Sequence, residues 1–152
     1  MGEKYIVQNR RARHDYFVIE SHEAGIELRG TEVKSMREGL MQLKDSYVDI
    51  DKGQMHLVGA HISPYEKGNI YNHDPERPRR LLMHKREILK LGTQVAEKGL
   101  TVIPLAVYFK KGIAKVEIGL CKGKNTVDRR QTLHEREAKR EIDRAMKDLR
   151  HQ

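Results

Sequence analysis

The last 31 residues of the chain, 122 to 152, limit its fold most strongly, because they carry ten Lys or Arg, six Asp or Glu and only seven apolar residues. A segment of that composition cannot bury a core, so we expect it to be disordered when free. The sequence therefore predicts a compact domain over residues 1–121 and a basic tail over residues 122–152. In the tail, Ala138, Ile142, Met146 and Leu149 recur at helical spacing, which predicts a helix that forms only on a partner.

The charge of the chain indicates the kind of partner. Its formal net charge is +8 at pH 7, which favours a polyanion such as nucleic acid. No stretch approaches 18 consecutive apolar residues, and the N-terminus lacks the apolar region of a secretion signal. The single cysteine, Cys121, excludes an internal disulfide and a Cys-based zinc site. We therefore expect a cytoplasmic protein that does not bind membranes.

The apolar pattern of the compact domain predicts mainly β-structure. Residues 16–29 are rich in β-branched and aromatic side chains, with Ala24 and Gly25 as a place to bend, which predicts one long bent strand. Alternating patterns on both sides of residues 51–53 and of residues 110–112 predict two hairpins, since each turn contains a glycine.

Two helices are expected between these strands. The first begins near Thr31, and the second extends from Arg80 to Glu97, where apolar residues approximate one face. Residues 65–80 contain two prolines and four Arg or Lys, which predicts a basic loop without regular structure. The fold class that follows is mainly β with inserted helices (α+β), an antiparallel barrel of the oligonucleotide-binding type with two or three helices.

The sequence offers no constellation typical of an enzyme. The segment KGKNT resembles a phosphate-binding loop, but Gly119 and Gly123 are one residue too close and Asn125 replaces the Ser or Thr. His14 and Asp15 are neighbours that, on a strand, would point to opposite faces. The remaining histidines lack the spacing of metal ligands. We expect no catalysis, no metal and no cofactor.

The N-terminal run Asn9 to His14 has three arginines in four positions, and guanidinium groups bind phosphates bidentately. We expect this run to be an arm that precedes the first strand. Tyrosines offer a few stacking surfaces, but aromatic residues are only 5% of the chain. That scarcity favours recognition of RNA by shape and backbone over base stacking.

Seven short motifs, taken together, resemble the SmpB family of tmRNA-binding proteins in bacterial ribosome rescue. They span about residues 4 to 147 with family-like spacing, and they are 9–16 (NRRARHDY), 23–26 (EAGI), 30–35 (GTEVKS), 74–75 (DP), 79–82 (RRLL), 122–124 (KGK) and 128–130 (DRR). The resemblance implies an oligonucleotide-binding-type barrel without catalytic activity. It also implies a complex with the tRNA-like domain of tmRNA, in which the protein takes the place of a missing anticodon arm.

The same resemblance assigns RNA contacts to the body. Asn9, Glu23 and Leu82 match positions that hold the tRNA-like elbow, and residues 122–124 match a junction motif that supports RNA binding. A carboxylate such as Glu23 can accept hydrogen bonds from base amino or imino groups. The full predicted RNA-binding set is Asn9, Arg10, Arg11, Arg13, His14, Glu23, Lys34, Arg79, Arg80, Leu82, Lys122, Gly123 and Lys124.

The tail motif implies contacts with the small-subunit decoding centre and the mRNA channel. Asn125, Ala138 and Ala145 depart from residues that are frequent in the family, Lys, Trp and Ile respectively. The residues expected to contact the ribosome are Asp128, Arg129, Arg130, Arg136, Lys139, Arg140, Arg144, Met146 and Lys147.

Two other functions compete with a tmRNA adaptor that acts as a monomer. A general ribosome-associated RNA-binding protein or RNA chaperone would share the barrel and the charge, but it would need no specific RNA. A metal-dependent nuclease would use the scattered His and acidic residues. Selectivity for a tRNA-like elbow, and RNA left intact in the presence of divalent metal, distinguish these possibilities.

Overall fold

The computed structural model describes residues 3–65 and 72–124, together with Arg140, Ile142 and Arg144. This part of the chain forms nine strands and three helices. In chain order they are β1 (Glu3–Gln8), α1 (Arg10–Asp15), β2 (Tyr16–Ile26), α2 (Gly30–Arg37), β3 (Met41–Gln42), β4 (Tyr47–Asp51), β5 (Gln54–Val58), β6 (His61–Ile62), β7 (Arg79–Leu82), α3 (Lys85–Lys98), β8 (Thr101–Lys110) and β9 (Ile113–Gly123).

Seven of the strands form one antiparallel sheet that closes into a barrel-like ring. The strand order is β1-β8-β4-β5-β7-β2-β9. An additional pairing of β8 with β9 closes the six strands from β8 to β9 into a ring. Strand β1 pairs with β8 outside this ring, while β3 and β6 form a separate two-stranded sheet. The predicted mainly antiparallel fold is therefore confirmed.

Both predicted hairpins are present, and their turns explain why. Lys52 and Gly53 have φ values of 51° and 77°, and Lys111 and Gly112 have 52° and 78°. Positive φ at both central residues is what a two-residue type I′ turn requires, and this turn matches the twist of the strands it joins.

The core lies inside the ring and contains aliphatic side chains from almost every strand. Ala24 of β2 and Val116 of β9 are paired and fully buried, which identifies the inner face of these two strands. Helix α3 packs on this core through Ile88 and Leu91, while α1 covers a smaller outer cluster through Ala12. Among the residues described, no helix is long and apolar enough to span a membrane.

Three elements differ from the sequence predictions. Residues 79–82 form strand β7 instead of the first turn of a helix, and α3 begins at Lys85. The expected basic arm is preceded by a strand, β1, and is itself helix α1. Strand β9 extends to Gly123, so two residues of the junction motif belong to the sheet.

Candidate nucleic-acid interface

One face of the barrel wall brings together residues from four strands. Directly paired residues on neighbouring strands project from the same face of a sheet. Gly25 of β2 is paired with Leu82 of β7 on one side and with Lys115 of β9 on the other, and Lys115 is paired with Tyr108 of β8. This face lies opposite the buried Ala24 and therefore points outward. We call it the outer face. Its exposed or half-buried members are Glu23, Leu82, Lys110, Lys115 and Glu117, and Tyr108 is buried beside them at 5% exposure.

Glu23 is the central polar group of the outer face. The Tyr108 hydroxyl donates a hydrogen bond to Glu23 Oε2, and Lys110 Nζ lies 3.6 Å from the same oxygen. The Tyr108 hydrogen bond, together with the charges of Lys110 and Lys115, lowers the pKa of the Glu23 carboxyl below its usual value. Glu23 is therefore an ionised acceptor at neutral pH, with 35% of its side chain exposed.

Leu82 supplies an apolar neighbour to this acceptor. It is 45% exposed, although it lies in a strand and is flanked by the fully buried Leu81. A Cβ on Gly25 would lie 3.3 Å from Leu82 Cβ, so the glycine allows a close approach there. The structure thus brings two predicted RNA-binding residues, Glu23 and Leu82, to one surface. Lys110 and Lys115 lie on the same surface, and the buried Tyr108 supports Glu23 from beneath; their positions depend on pairing between distant strands, so they were not predicted.

Asn9 is largely committed to the fold. Its side-chain oxygen accepts a hydrogen bond from the Ala12 amide at 3.1 Å, which caps α1. Its side-chain nitrogen donates to the Pro104 carbonyl at 3.0 Å, and its backbone amide donates to the Leu105 carbonyl at 2.8 Å. These three hydrogen bonds fix the start of α1 on β8, and the RNA contact of Asn9 stays a prediction.

The basic residues of α1 are exposed and lie at the edge of the outer face. Arg13 Nη2 donates to Glu117 Oε1 at 3.3 Å, which links the helix to β9. Arg11 Nε lies 3.4 Å from Asp15 Oδ2, and His14 Nδ1 lies 3.0 Å from Asp15 Oδ1. The expectation that His14 and Asp15 point to opposite faces is wrong, because they end a helix and do not lie in a strand. The His14 hydrogen bond and the charge of Arg11 lower the pKa of the Asp15 carboxyl.

The junction motif lies beside α1. Lys122 is paired with Phe17 and Gly123 with Tyr16, so the end of β9 meets the start of β2. The Lys124 amide donates to the Asp15 carbonyl at 3.0 Å. Lys124 Nζ donates to the Arg13 carbonyl at 3.1 Å and lies 5.1 Å from the centre of the Phe17 ring. Predicted residues that are about 110 positions apart in the chain, Arg13 and Lys124 among them, therefore form one basic surface.

Arg79 does not belong to an RNA-binding surface, which corrects the prediction for this residue. It is fully buried, and its Nε donates to Glu32 Oε2 at 2.6 Å. Its other nitrogens donate to the carbonyls of Ala60 at 2.8 Å and Pro75 at 3.0 Å. All three guanidinium nitrogens donate inside the protein and the side chain is fully buried, so it cannot reach phosphates and Arg79 is a core residue.

Two other predicted basic residues are exposed away from the junction. Lys34 of α2 lies over the Tyr65 ring at 5.4 Å from its centre, and Arg80 Nη1 lies 4.0 Å from Glu27 Oε1. Within the described ranges, no group of three His, Cys, Asp or Glu side chains is placed to hold a metal ion.

Most of the predicted ribosome contacts lie outside the described residues. This holds for Asp128, Arg129, Arg130, Arg136, Lys139, Met146 and Lys147. Arg140, Ile142 and Arg144 have helical backbone, and both arginines are exposed. The conditional helix of the tail remains a prediction.

These features place the protein in the class of β-barrel proteins that carry a basic surface around an outward carboxylate. Comparison with known proteins identifies the family. The family model for "SmpB protein" matches residues 6–148. The chain belongs to the SmpB protein family.

Individual relatives agree with this assignment over nearly the whole chain. The chain is 55% identical to the SsrA-binding protein of Pelotomaculum thermopropionicum over 148 residues, 97% of each chain. It is 57% identical to the SsrA-binding protein of Desulforudis audaxviator over 143 residues, 94% of each. A solved structure described as "tmRNA-SmpB: a journey to the center of the bacterial ribosome" matches with a TM-score of 0.68 and 47% identity, covering 91% of this chain and 94% of that one.

Proposed function

We propose that this chain is an RNA-binding adaptor that binds the tRNA-like domain of tmRNA and brings it to stalled ribosomes for trans-translation. The observation that carries the proposal is membership of the SmpB family, whose relatives are named SsrA-binding proteins. The likeness to a chain of a tmRNA-SmpB structure supports the ribosome as the second partner. The chain acts by binding and not by catalysis, and it works in the cytoplasm as a monomer.

The two surfaces of the body have different roles in this proposal. The lysines and arginines around the junction bind phosphates, a contact that is strong and dependent on salt but carries no sequence information. The ionised Glu23 and the exposed Leu82 contact base edges, since phosphates avoid a carboxylate. Folded RNA is thereby recognised by shape and backbone, with a few base contacts.

The tail supplies selectivity for stalled ribosomes. An mRNA channel that already holds mRNA excludes the tail sterically, whereas an empty channel admits it and provides phosphates for its Lys and Arg side chains. Ordering a segment on binding costs free energy, so the contact stays reversible. In this scheme Asp128, Arg129 and Arg130 act at the decoding centre without any codon.

A binding assay tests the adaptor function. The full chain should bind the tRNA-like domain at least about tenfold more tightly than an RNA duplex of equal length, because specific contacts are worth roughly 1–3 kcal/mol each. Glu23→Gln keeps the size of the side chain but turns an acceptor oxygen into a donor, and we expect it to lower affinity for the tRNA-like domain about tenfold. The matched control is Glu97→Gln, an exposed glutamate of α3, which should have no effect.

The outcome decides between the adaptor and a general RNA chaperone. Equal affinity for the duplex and the tRNA-like domain contradicts the adaptor. A chain that ends at residue 130 should keep its tmRNA affinity and lose peptide tagging on stalled ribosomes. Loss of tmRNA binding by this shortened chain contradicts the separate roles of body and tail.

A further inference from the structure

A cleft lies between α1 and the outer face, next to the surface described above. It has a volume of about 250 Å³ and is lined by Tyr5, Gln8, Arg10, Arg13, Leu105 and Glu117, among others. Small-molecule pockets usually measure from roughly 300 Å³ upward. At about 250 Å³ the cleft is smaller than most such pockets, so it admits one base and is too small for a helix of RNA.

The carboxylate of Glu117 stands in an electrostatically unfavourable place. It is paired directly with Glu23 across the β2–β9 ladder. Like charges directly opposite each other destabilise a sheet. The two carboxylates have different partners, since Arg13 approaches Glu117 while Tyr108 and Lys110 approach Glu23. Arg13 occupies one of about four acceptor positions of the Glu117 carboxylate, so this carboxylate can also accept hydrogen bonds from a ligand in the cleft.

The other lining groups suit the remaining parts of a nucleotide. Tyr5 is 48% exposed, and its ring centre lies 5.5 Å from that of Tyr108 at an interplanar angle of 56°. The exposed part of the Tyr5 ring offers a surface on which a base can stack. Arg10 lines the same cleft and is exposed, so it can reach a phosphate, whereas Arg13 lies beside Glu117, with its Nη2 3.3 Å from Oε1.

We propose that this cleft binds one unpaired guanine nucleotide of the RNA, with Glu117 reading its Watson–Crick edge. The inference rests on the proposed function and names a subsite within it. Guanine presents two adjacent donors, N1–H and the N2 amino group, which match the two oxygens of a carboxylate. Adenine, cytosine and uracil each place a ring or carbonyl acceptor beside their donor, and that acceptor repels a carboxylate. Tyr5 stacks on the base, Arg13 orients the Glu117 carboxylate, and Arg10 holds the phosphate.

Nucleotide titration tests the base preference on the full chain. GMP, AMP, CMP, UMP and IMP are added separately while backbone amide shifts are followed by NMR. We expect GMP to perturb Gln8, Ala106 and Glu117 and to bind at least about tenfold more tightly than the other four, as expected for one bidentate base contact. IMP lacks only the N2 amino group, so this comparison requires no substitution. Equal affinities, or shifts confined to other surfaces, overturn the inference.

Substitutions separate the roles of the two ends of the nucleotide. Glu117→Gln should reduce GMP to the affinity of AMP, and Glu97→Gln should leave the preference intact. Arg10→Gln should weaken all nucleotides by a similar factor and leave the nucleoside guanosine unaffected. A guanine preference that survives in Glu117→Gln overturns the assignment of Glu117.

An RNA experiment distinguishes a nucleotide within RNA from a free nucleotide. Each unpaired guanine of the tRNA-like domain is replaced by inosine, one at a time. One replacement should lower affinity about tenfold in the wild-type chain and have no effect in Glu117→Gln. If GMP binds but no replacement matters, the cleft takes a free nucleotide and the inference is wrong. If the tRNA-like domain binds normally without any guanine preference, the subsite is refuted and the adaptor function stands.

Discussion

Removing the charge of Glu32 should destabilise the barrel severely, because Glu32 is the only side-chain anion bonded to the buried Arg79 in the described part of the chain. Glu32 is fully buried and accepts hydrogen bonds from Arg79 Nε at 2.6 Å, Arg77 Nη2 at 2.6 Å and the Arg29 amide at 2.7 Å. In Glu32→Gln the two guanidinium groups would face a neutral amide. Breaking a buried ion pair from one side costs roughly 3–5 kcal/mol.

That cost is large enough to measure without ambiguity. For a body of this size, 1 kcal/mol corresponds to a few degrees, so we expect the melting temperature to fall by about 10–20 °C. Circular dichroism during heating and urea unfolding at 20 °C provide two independent values. The control is Glu27→Gln, since Glu27 is exposed and lies 4.0 Å from Arg80, and it should change the unfolding free energy by less than about 0.5 kcal/mol.

The same variant separates a core role from an RNA role. The folded fraction of Glu32→Gln at low temperature should bind the tRNA-like domain as the wild type does, since Glu32 and Arg79 are both buried. A loss of stability below about 1 kcal/mol would refute the argument from the buried pair. Weaker RNA binding by a fully folded Glu32→Gln variant would mean that Arg79 takes part in RNA binding, as the motif predicted.

Three further outcomes follow from the same contacts. Burial alone would raise the pKa of the Glu32 carboxyl, but the hydrogen bonds from Arg77, the Arg29 amide and Arg79 outweigh burial and lower the pKa. The resulting stabilisation is therefore present above the unfolded pKa of about 4.3 and is lost as pH falls through the folded pKa. Urea unfolding at pH 7, 5 and 3 should show this loss of stability in the wild type and a smaller loss in Glu32→Gln. Gly119→Ala should cost about 1–3 kcal/mol in urea unfolding, because the new Cβ would lie 2.8 Å from Leu105 Cδ1 in a packed cluster, whereas Gly30→Ala meets no atom within 4 Å and should cost nothing. A chain that ends at Lys124 should melt within about 2 °C of the full chain, and one that ends at Cys121 should melt lower because it loses two strand residues and the Lys124–Asp15 hydrogen bond.

The elements that local sequence determines were predicted correctly. The two hairpins follow from Lys-Gly turns with positive φ, and α2 follows from a helical pattern that begins beside Thr31. In α2 the Glu32 side chain accepts from the Arg29 amide, a capping contact that local sequence also supports. Such features depend on a few neighbouring residues and therefore can be predicted without the rest of the chain.

The errors arose where distant strands decide the local structure. Leu81 and Leu82 fit the apolar face of the following helix, but pairing of Met55 with Leu81 and of Gly25 with Leu82 holds them in β7. Helix α1 has six residues and only one buried side chain, Ala12, so it lacks a periodic pattern and depends on the Asn9 cap. Arg79 was predicted to bind RNA because it lies in the RRLL motif, and that motif does not indicate that Glu32, 47 positions away, pairs with it in the core.

The candidate site likewise contains residues that local motifs indicate and residues that only the pairing of distant strands brings together. The motifs located Glu23, Leu82 and the junction, yet Tyr108, Lys110 and Lys115 became part of the site only through the register of β2, β8 and β9. Glu117 had no distinguishing sequence pattern at all. Its place opposite Glu23 and beside Arg13 is a product of the strand pairing and of α1, which no single segment encodes.

Strand β2 gives the proposed adaptor a fixed internal spacing. Its first residues pair with the junction motif, and Glu23 lies six residues after Phe17, which is about 20 Å along a strand. Because both contact surfaces are on one strand of a closed ring, RNA bound at Glu23 is held at a constant distance from Lys122 and Lys124. Lys124, the last described residue of this part of the chain, has its amide fixed to the Asp15 carbonyl. In the proposed adaptor, the strands that hold the RNA therefore also set the position from which the predicted tail extends, so docking of the RNA on the body would determine where on the ribosome the tail can reach an empty channel.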